Sequence, residues 1–316
     1  MPTKKFNLVW GNHCLELGER TRIMGILNIT PDSFSDGGKF FALDNALAQA
    51  EKMIAAGADI IDIGGESTRP FSEAVSIEEE TRRVIPVIGY LAKKISIPIS
   101  IDTTKSVVAR RAVSAGASII NDISALRFDP DMAEVAANND VLLILMHMKG
   151  TPSDMQASPF YDDLMGEIKD FLAQAIVRAE NSGVAKNKII IDPGIGFGKT
   201  VQHNLFLINN LNEFQELNVP VLFGSSRKAF IRRILVQDEK TEPKPDHPLV
   251  ETGTQATVAA GIIGGAHIVR VHNVSNTCAT VKLIDAIRNS VLKKTQESND
   301  ASGSGCGKHP YGHRAV

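Results

Sequence analysis

The stretch NALAQAEKMIAAGADIIDI, residues 45–63, places an alanine-rich helical pattern, a glycine and a short apolar run in direct succession. Glycine readily adopts the left-handed conformation that follows many helices, and a continuous apolar run is typical of a strand buried on both faces. The same order recurs in residues 105–121 and 254–271. This weak internal repeat predicts helices that alternate with parallel strands.

Eight short apolar runs of this kind occur along the chain. They are IMGIL (23–27), DIIDI (59–63), PISI (98–101), SIIN (118–121), VLLILM (141–146), KIII (188–191), PVLF (220–223) and HIVRV (267–271). Helical patterns lie between them, including Ser76–Lys94, with Ser76 and Glu79 as a capping box, and Asp163–Ser182. The pattern predicts an α/β fold, a single (β/α)8 TIM barrel, with an open doubly wound sheet as the alternative.

Long connections rich in glycine, proline, serine and aspartate follow the first two predicted strands. They are NITPDSFSDGGKFFALDN (28–45) and GGESTRPFSEAVS (64–76). Loops of this length in a compact domain commonly carry function, so both are predicted to be lids. Residues 1–294 are predicted to form the barrel, and residues 295–316, which are poor in apolar side chains, a disordered tail.

The composition of the 316-residue chain excludes several classes of protein. With 43% hydrophobic and 22% charged residues and a net charge of -2, it is typical of a globular protein and not of a nucleic-acid binder. No apolar run approaches the roughly 18 residues of a membrane span, and no signal-peptide pattern opens the chain. We therefore expect a cytoplasmic protein without a membrane partner. Cys14, Cys278 and Cys306 indicate no disulfide framework, and Cys306 has metal-like spacing to His309 and His313 only within the predicted tail.

Polar side chains follow every predicted strand, at the end where chemistry takes place in a (β/α)8 barrel. In strand order they are Asn28; Glu66, Thr68 and Arg69; Asp102; Asn121 and Asp122; His147; Asp192; Ser225, Arg227 and Lys228; Arg270 and His272. Each alone is also typical of a helix cap or turn. Together they predict an active site at one mouth of the barrel.

Two shorter patterns resemble other catalytic motifs. GIGFGKT (194–200) ends like a phosphate-binding loop, but the spacing is too short and Pro193 stands where the first glycine is needed. Ser225 and Lys228 match an S-x-x-K serine nucleophile without the other motifs of that class. Lys228 is also compatible with a Schiff-base lysine of an aldolase-type barrel.

Two long motifs and five shorter ones occupy the strand ends. They are MGILNITPDSFSDGG (24–38), GGESTRP (64–70), IDT (101–103), ND (121–122), DPGIGFGK (192–199), GSSRK (224–228) and RVH (270–272). Together they resemble the signatures of the dihydropteroate synthase family over roughly residues 20–290. The resemblance implies an enzyme of folate synthesis that joins p-aminobenzoate to 6-hydroxymethyl-7,8-dihydropterin diphosphate and releases diphosphate.

The resemblance implies a pterin pocket at the barrel mouth. Its residues, carried over from the matching motifs, are Asp102, Asn121, Asp192, Lys228, Met146 and Phe197. The pterin has a guanidine-like edge of neighbouring donors, which Asp102, Asn121 and Asp192 would read. Lys228 is expected near the ring carbonyl and ring nitrogen. Buried donors left unpaired cost about 1–3 kcal/mol each, so such a pocket rejects rings that lack this edge.

The leaving diphosphate requires positive charge at the same mouth. Arg270 and His272 alternate on the last predicted strand, so both point to the same side. The resemblance assigns them, with Asn28, to the diphosphate, and implies Mg²⁺ as a cofactor between Asn28 and the phosphate oxygens. The residues predicted to be catalytic are Lys228, Arg270, His272 and Asp102.

The second substrate, p-aminobenzoate, is expected beneath the two lids. By resemblance, its site and the lid loops comprise Phe34, Asp36, Thr68, Arg69, Pro70 and Ser226. The aniline nitrogen is already unprotonated at neutral pH. We therefore predict a dissociative reaction in which diphosphate leaves first, with positioning and electrostatics rather than a strong base supplying the rate.

Two positions depart from the family pattern. Phe71 stands where glycine is usual and is expected to alter the affinity for sulfonamides, which imitate p-aminobenzoate. Asn273 stands where aspartate is common, and it is predicted to cap the last helix equally well. The alternatives are a pterin-binding methyltransferase and a non-catalytic pterin-binding protein, neither of which needs the diphosphate site. The resemblance also implies a homodimer.

Overall fold

Eight parallel strands form a closed barrel, as the apolar runs predict. The computed structural model describes residues 3–29, 39–67, 75–157, 159–236 and 242–290, of which residues 39–42 are described as backbone only. Its strands are β1 (Phe6–Trp10), β2 (His13–Leu17), β3 (Arg22–Asn28), β4 (Ile60–Gly64), β5 (Ile99–Asp102), β6 (Ile119–Asp122), β7 (Leu142–Met146), β8 (Ile189–Asp192), β9 (Leu222–Phe223) and β10 (Ile268–Val271). Strands β3 to β10 pair in the order β8-β7-β6-β5-β4-β3-β10-β9, and a parallel bridge between Ile191 and Val221 joins the two ends. The eight predicted strands are confirmed, and the open doubly wound sheet is wrong.

Helices follow the barrel strands in the described part of the chain. They are α1 (Lys39–Ala55), α2 (Ile77–Leu91), α3 (Ser106–Ala115), α4 (Met132–Asn138), α5 (Leu164–Asn181), α6 (Val201–Asn209), α7 (Ala229–Leu235), α8 (Pro248–Ile263) and α9 (Val274–Arg288). None of these helices is long and apolar enough to cross a membrane. Gly57, Gly116 and Gly265 follow α1, α3 and α8 with φ angles of 102°, 118° and 95°, which confirms the predicted helix, glycine and strand repeat.

The predicted helix caps are largely confirmed. Ser76 accepts a hydrogen bond from the Glu79 backbone N–H, but the capping box is half formed because the Glu79 carboxylate accepts from Arg82 and Arg83 instead. Helix α2 therefore starts where the sequence predicts, although it ends three residues before Lys94. Asn273 caps α9 through the backbone N–H of residue 276, as predicted.

The strands carry two different apolar faces. Ile61, Ile101 and Val269 belong to the outer core between barrel and helices, whereas Met24 and Ile268 belong to a separate cluster inside the barrel. Both faces are buried, which is why the sequence shows no polar alternation. Toward the carboxyl ends of the strands the inward positions become polar, and these positions form the mouth.

An N-terminal hairpin, β1 and β2, closes the barrel end opposite the mouth and was not predicted. Its Leu8 and Trp10 are 1% and 2% exposed and pack with Met24 and Ile60, which lie near the amino ends of their strands. The alternating runs FNLVW and HCLEL, on either side of Gly11 with φ 48°, are the signal that identifies it. The hairpin therefore forms the floor of the barrel, at the end opposite the mouth.

His267 joins this hairpin to the barrel and predicts an acid-sensitive contact. Its Nδ1 accepts from the Val221 N–H at 3.0 Å, and its Nε2 donates to the Lys4 carbonyl at 2.9 Å, so the ring must be neutral. Burial lowers the pKa of His267 to about 4. Because the unfolded chain binds this proton more readily, the contact stabilises fully above pH 6.5 and loses about 3 kcal/mol as the pH falls through 4.

Urea unfolding of the wild type and His267→Gln between pH 8 and pH 4 measures this effect. The free energy of unfolding of the wild type should fall more steeply with acid than that of His267→Gln. Identical slopes for the two proteins would contradict a neutral, buried His267.

Candidate active site

Hydrogen-bonded register brings polar side chains from neighbouring strands to one level of the mouth. Asn28 of β3 pairs with Gly64 of β4. Gly64 in turn pairs with Asp102 of β5, which pairs with Asn121 of β6. A Cβ atom added to Gly64 would lie 3.6 Å from both Asn28 Oδ1 and Asp102 Cβ. The absence of a side chain at Gly64 thus leaves room between these two predicted site residues.

Arg270 on β10 reaches past β3 to carboxylates on β4 and β5. Its Nε donates to Asp62 Oδ2 and its Nη2 to Asp102 Oδ2, both at 2.6 Å. Asn121 Nδ2 donates to the same Asp62 oxygen at 3.2 Å. Four strands are therefore joined by one buried polar network that contains three of the predicted site residues.

Two carboxylate oxygens in this network are buried without a hydrogen-bond partner in the described part of the chain. They are Asp62 Oδ1 and Asp102 Oδ1. Burial raises the pKa of Asp102 to about 7, although Arg270 opposes this shift. Burial alone would lower the pKa of Arg270, but Asp62 and Asp102 raise it, so the guanidinium stays charged. The arrangement can accept hydrogen bonds from a ligand rich in N–H groups.

Asp192 lies at the end of β8, beside a glycine-rich turn. It is 5% exposed, and its Oδ1 accepts from the Gly194 N–H at 2.7 Å. Lys228, which precedes α7, donates through Nζ to the Ile195 carbonyl of the same turn and lies 4.5 Å from the centre of the Phe197 ring. Burial raises the pKa of Asp192 and lowers that of Lys228 to about 8, while each charge favours the other. The predicted Asp192, Lys228 and Phe197 are thus brought together.

An apolar cluster flanks these polar groups. Met146 pairs in register with Asp192 and is 3% exposed. It packs in one cluster with Ile123, Met148 and Met155, against which the partly buried Phe197 also lies. Such a wall next to buried acceptors suits a flat, mostly apolar ring with polar edges.

Ser226 and His272 meet on the other side of the mouth. Ser226 Oγ lies 2.9 Å from His272 Nδ1 and also accepts from the His272 backbone N–H at 3.3 Å. Arg270 lies on β10 and His272 directly follows the last residue of that strand. A hydroxyl and an imidazole at this point can hold an anionic or polar group of a ligand.

Some polar residues at the strand ends form hydrogen bonds and ion pairs within nearby turns and loops instead of pointing into the mouth. Asp122 accepts from the N–H groups of Ser124 and Leu126 at 2.8 and 2.7 Å. Glu66 pairs with Lys105 and accepts from the Val75 N–H at 3.0 Å. For these two residues, the structural interpretation as turn and loop anchors is the better one.

The motifs that resemble other chemistry have structural explanations. Lys199 of GIGFGKT donates to the Gly194 and Phe197 carbonyls of its own turn, so it is not a phosphate-loop lysine. Ser225 Oγ lies 2.9 Å from Thr257 Oγ1, while Lys228 points to the Ile195 carbonyl. Neither arrangement forms a serine nucleophile activated by lysine.

Some predictions fall on residues outside the described ranges. These are the lid residues Phe34, Asp36, Thr68, Arg69 and Pro70, the family departure Phe71, and the tail from residue 295. They remain predictions.

Sequence reasoning missed Asp62 as a member of the site. It is 0% exposed and lies in the middle of the apolar run of β4, two residues before Gly64 and therefore on the same inward face. An aspartate inside an apolar run is costly to bury unless it is paired, and this is the signal that could have identified it. The arginine that pairs with it lies 208 residues later in the chain.

No group of three or more histidine, cysteine, aspartate or glutamate side chains suited to a metal is found among the described residues. Asn28 Oδ1 is one neutral oxygen near Asp102, and the two residues lie on either side of the space left by the missing side chain of Gly64. Mg²⁺ commonly takes one or two protein oxygens together with substrate phosphates and water. The site thus fits Mg²⁺ only as an ion that arrives with a phosphorylated ligand.

Comparison with known proteins yields one family. The sequence pattern of the family described as pterin binding enzyme matches residues 24–272. Dihydropteroate synthase of Synechocystis sp. is 48% identical over 88% of this chain and 93% of its own length. Dihydropteroate synthase of Bacillus subtilis is 48% identical over 87% of this chain and 91% of its own length.

Solved structures agree in fold as well as sequence. The Yersinia pestis dihydropteroate synthase in a sulfonamide drug complex has a TM-score of 0.83 at 42% identity, over 90% of this chain and 100% of that one. The Xanthomonas albilineans dihydropteroate synthase with 4-aminobenzoic acid has a TM-score of 0.83 at 41% identity, over 91% and 100%.

Proposed function

Because this chain belongs to the dihydropteroate synthases of the pterin binding enzyme family, we propose that its barrel mouth divides into a pterin site, a diphosphate site and a p-aminobenzoate site. The chain is a transferase of folate synthesis, which condenses 6-hydroxymethyl-7,8-dihydropterin diphosphate with p-aminobenzoate to 7,8-dihydropteroate and diphosphate. The observation that supports this division is the set of buried acceptors, Asp102, Asn121 and Asp192, beside an apolar wall.

The pterin is held at its donor edge by carboxylates. Asp102 has one buried oxygen without a partner in the described residues, and Asp192 presents its carboxylate from β8. Asn121 can offer its amide oxygen, since its nitrogen is engaged with Asp62. Met146 and Phe197 lie along the faces of the ring. Each unpaired donor costs about 1–3 kcal/mol, so the paired edge fixes the orientation of the substrate.

Lys228 polarises the pterin ring from its carbonyl side. Burial lowers its pKa to about 8, but Asp192 raises it, so the ammonium persists at neutral pH. A fixed positive charge at the carbonyl and ring nitrogen stabilises the bound orientation without an added proton transfer. Activity should therefore decline above about pH 8, where Lys228 loses its proton.

The diphosphate leaves toward Arg270, His272 and Asn28. Arg270 stays charged in its network and contributes a fixed positive potential, while His272, oriented by Ser226, can donate to a phosphate oxygen. Asn28 Oδ1 would bind Mg²⁺, and the ion would neutralise charge on the diphosphate. Breaking the bond between the pterin methylene and the diphosphate oxygen before attack leaves a cation on that carbon. The neutral aniline nitrogen of p-aminobenzoate then adds to it and releases one proton to water.

The second substrate is assigned to the side of the mouth that bears Ser226. The lid residues proposed to close over it are Phe34, Asp36, Thr68, Arg69 and Pro70. We further propose a cytoplasmic homodimer, and a monomeric mass in sedimentation equilibrium would contradict that state. A methyltransferase or a purely binding protein explains the pterin acceptors but gives no role to Asn28 and His272 at the same mouth.

The function is tested by measuring diphosphate release and dihydropteroate formation with Mg²⁺ and the pterin diphosphate, with and without p-aminobenzoate. Lys228→Ala should lower kcat/KM by about 10²–10³-fold, the range expected when one preorganised electrostatic contact is removed. Lys169→Ala is the control, since Lys169 pairs with glutamates on the outer surface.

We expect the wild type to form dihydropteroate only when p-aminobenzoate is present. A folded wild type that binds the pterin but forms no product would contradict the synthase function. Single-turnover mixtures without p-aminobenzoate that never release diphosphate would contradict the dissociative order.

A further inference from the structure

Lys199 is a buried lysine that the proposed reaction does not use directly. Only 2% of the residue is exposed. Its Nζ donates to the Gly194 carbonyl at 2.9 Å and to the Phe197 carbonyl at 3.0 Å, and lies 2.9 Å from His147 Nδ1. One ammonium group therefore joins the two ends of the turn that follows β8 and ties that turn to the segment that follows β7.

The same turn carries contacts of the proposed pterin site. Gly194 donates to Asp192, and the Ile195 carbonyl accepts from Lys228. The Phe197 ring, 4.5 Å from Lys228 Nζ, belongs to the apolar wall. A change in the conformation of the turn would therefore move an acceptor, a cation and a wall of the site together.

Besides Lys228, three side chains outside the turn hydrogen-bond to it, and these three bonds are neutral. Gly196 donates to Asn204 Oδ1 at 2.6 Å, and Gln156 Nε2 donates to the Gly196 carbonyl at 2.7 Å. Tyr161 Oη donates to the Gly198 carbonyl at 2.8 Å. Lys199 thus adds a charged group, placed behind the turn, to these neutral contacts.

The charge of Lys199 also acts on Asp192. Burial raises the pKa of Asp192, and Lys228, Arg270 and Lys199 each oppose that shift. Burial lowers the pKa of Lys199 well below its usual value, with Asp192 raising it and Lys228 lowering it further. The three acceptors around Nζ match the three donors of an ammonium group and favour the charged form. His147 faces Lys199 with its own pKa far below the usual value, mainly through burial, so it accepts rather than competes for charge. Arg127 and Lys149 are the other cations near His147.

We propose that Lys199 is a positioning residue for the pterin substrate, which holds the turn of residues 193–198 closed and places a positive charge behind the Asp192 carboxylate. This inference rests on the proposed function and extends it to a residue behind the site. It assigns to Lys199 both a geometric and an electrostatic role, and the two are separable by experiment.

The test is calorimetric titration of the full chain with 6-hydroxymethyl-7,8-dihydropterin diphosphate and Mg²⁺, without p-aminobenzoate, between pH 5.5 and 8.5. Lys199→Met should weaken binding about tenfold to hundredfold, the scale of a lost charged hydrogen bond. The pH below which binding declines should rise, because Asp192 loses a neighbouring cation. Lys199→Arg should retain that pH limit.

Tyr161→Phe is the matched control. It removes one neutral bond to the same turn and should weaken binding less than about threefold, with no change in the acid limit. In steady-state assays, Lys199→Met should raise KM for the pterin substrate more than it lowers kcat.

Equal affinities and equal acid limits in the wild type and Lys199→Met would overturn the inference. A shift shared by Tyr161→Phe would overturn the electrostatic role. If Lys199→Met does not fold, Lys199→Gln, which keeps a hydrogen-bond donor but not the charge, replaces it. The affinity for the pterin substrate and the acid limit of binding are then measured on that variant. A wild type that does not bind the pterin substrate would overturn the proposed function itself, whereas normal wild-type binding with an unaffected variant overturns only the role of Lys199.

Discussion

Asp192→Asn is expected to lower kcat/KM for the pterin substrate by about 10²–10⁴-fold, because a site built to pair buried donors loses most when its acceptor is replaced by a donor. The carboxylate is 5% exposed, and one oxygen already accepts from Gly194. An amide at this place must turn its NH₂ either toward the Gly194 N–H or toward the donors of the ring. Steady-state kinetics with varied pterin substrate measures the loss.

The same variant should change the pH profile in a defined direction. Asp192 raises the pKa of Lys228, which burial otherwise lowers, and the combined result is about 8. Without the carboxylate, the lysine loses its proton at a lower pH, so the alkaline decline of kcat/KM should move below pH 8. If kcat/KM declined at the same alkaline pH in the variant and the wild type, Lys228 would not be the group that causes the decline.

Asp122→Asn is the matched control for Asp192→Asn. Both residues are buried aspartates at the end of a barrel strand. The carboxylate oxygens of Asp122, however, accept hydrogen bonds from Ser124 and Leu126 within its own turn. Its replacement should therefore reduce stability by about 1–3 kcal/mol while KM for the pterin stays near the wild-type value. An equal loss of pterin affinity in both variants would contradict the separation of the two roles.

This pair of aspartates also shows what the sequence could and could not predict. Apolar runs locate the strands, and the barrel fold then places every strand end at one mouth, so the positions of Asp102, Asn121 and Asp192 follow from the sequence pattern. Asp122 and Asp192 look alike in sequence, since each ends such a run. Only the inward or outward direction of the side chain, set by register within the closed barrel, separates a ligand group from a turn anchor.

Two contacts could not be predicted from the local sequence pattern, although the pattern marks the residues that make them. Asp62 lies within an apolar run, and its partner Arg270 comes from β10, which only the folded barrel brings to the other side of β3. The floor of the barrel depends on Trp10 and Leu8, whose burial follows from how the hairpin packs rather than from the strand pattern alone. In both cases the deciding contact joins residues far apart in the chain, and pattern over a short window does not carry that information.

Arg270→Met is expected to lower the free energy of unfolding by about 3–5 kcal/mol, because removing one partner of a buried ion network leaves an uncompensated charge. Asp62 and Asp102 are 0% and 8% exposed, and each gives up a 2.6 Å bond to the guanidinium. Arg270 also opposes the raised pKa of Asp102, which is about 7 in its presence. In the variant this pKa rises further, so the folded state takes up protons that the unfolded state releases. The loss of stability should therefore be larger at pH 8 than at pH 5.5.

Urea unfolding of Arg270→Met, Asp102→Asn and the double variant at these two pH values tests the network as a cycle. Arg270→Met leaves the buried charge of Asp102 without its partner, and Asp102→Asn removes that charge. The double variant should therefore be more stable than Arg270→Met at pH 8, and its free energy of unfolding should depend less on pH. Additive losses with no dependence on pH would contradict a charged contact between Arg270 and Asp102. Such a result would leave Arg270 free to act on the diphosphate alone. A coupled result means that the cation facing the leaving group is held in place by Asp102, a carboxylate that is also proposed to bind the pterin.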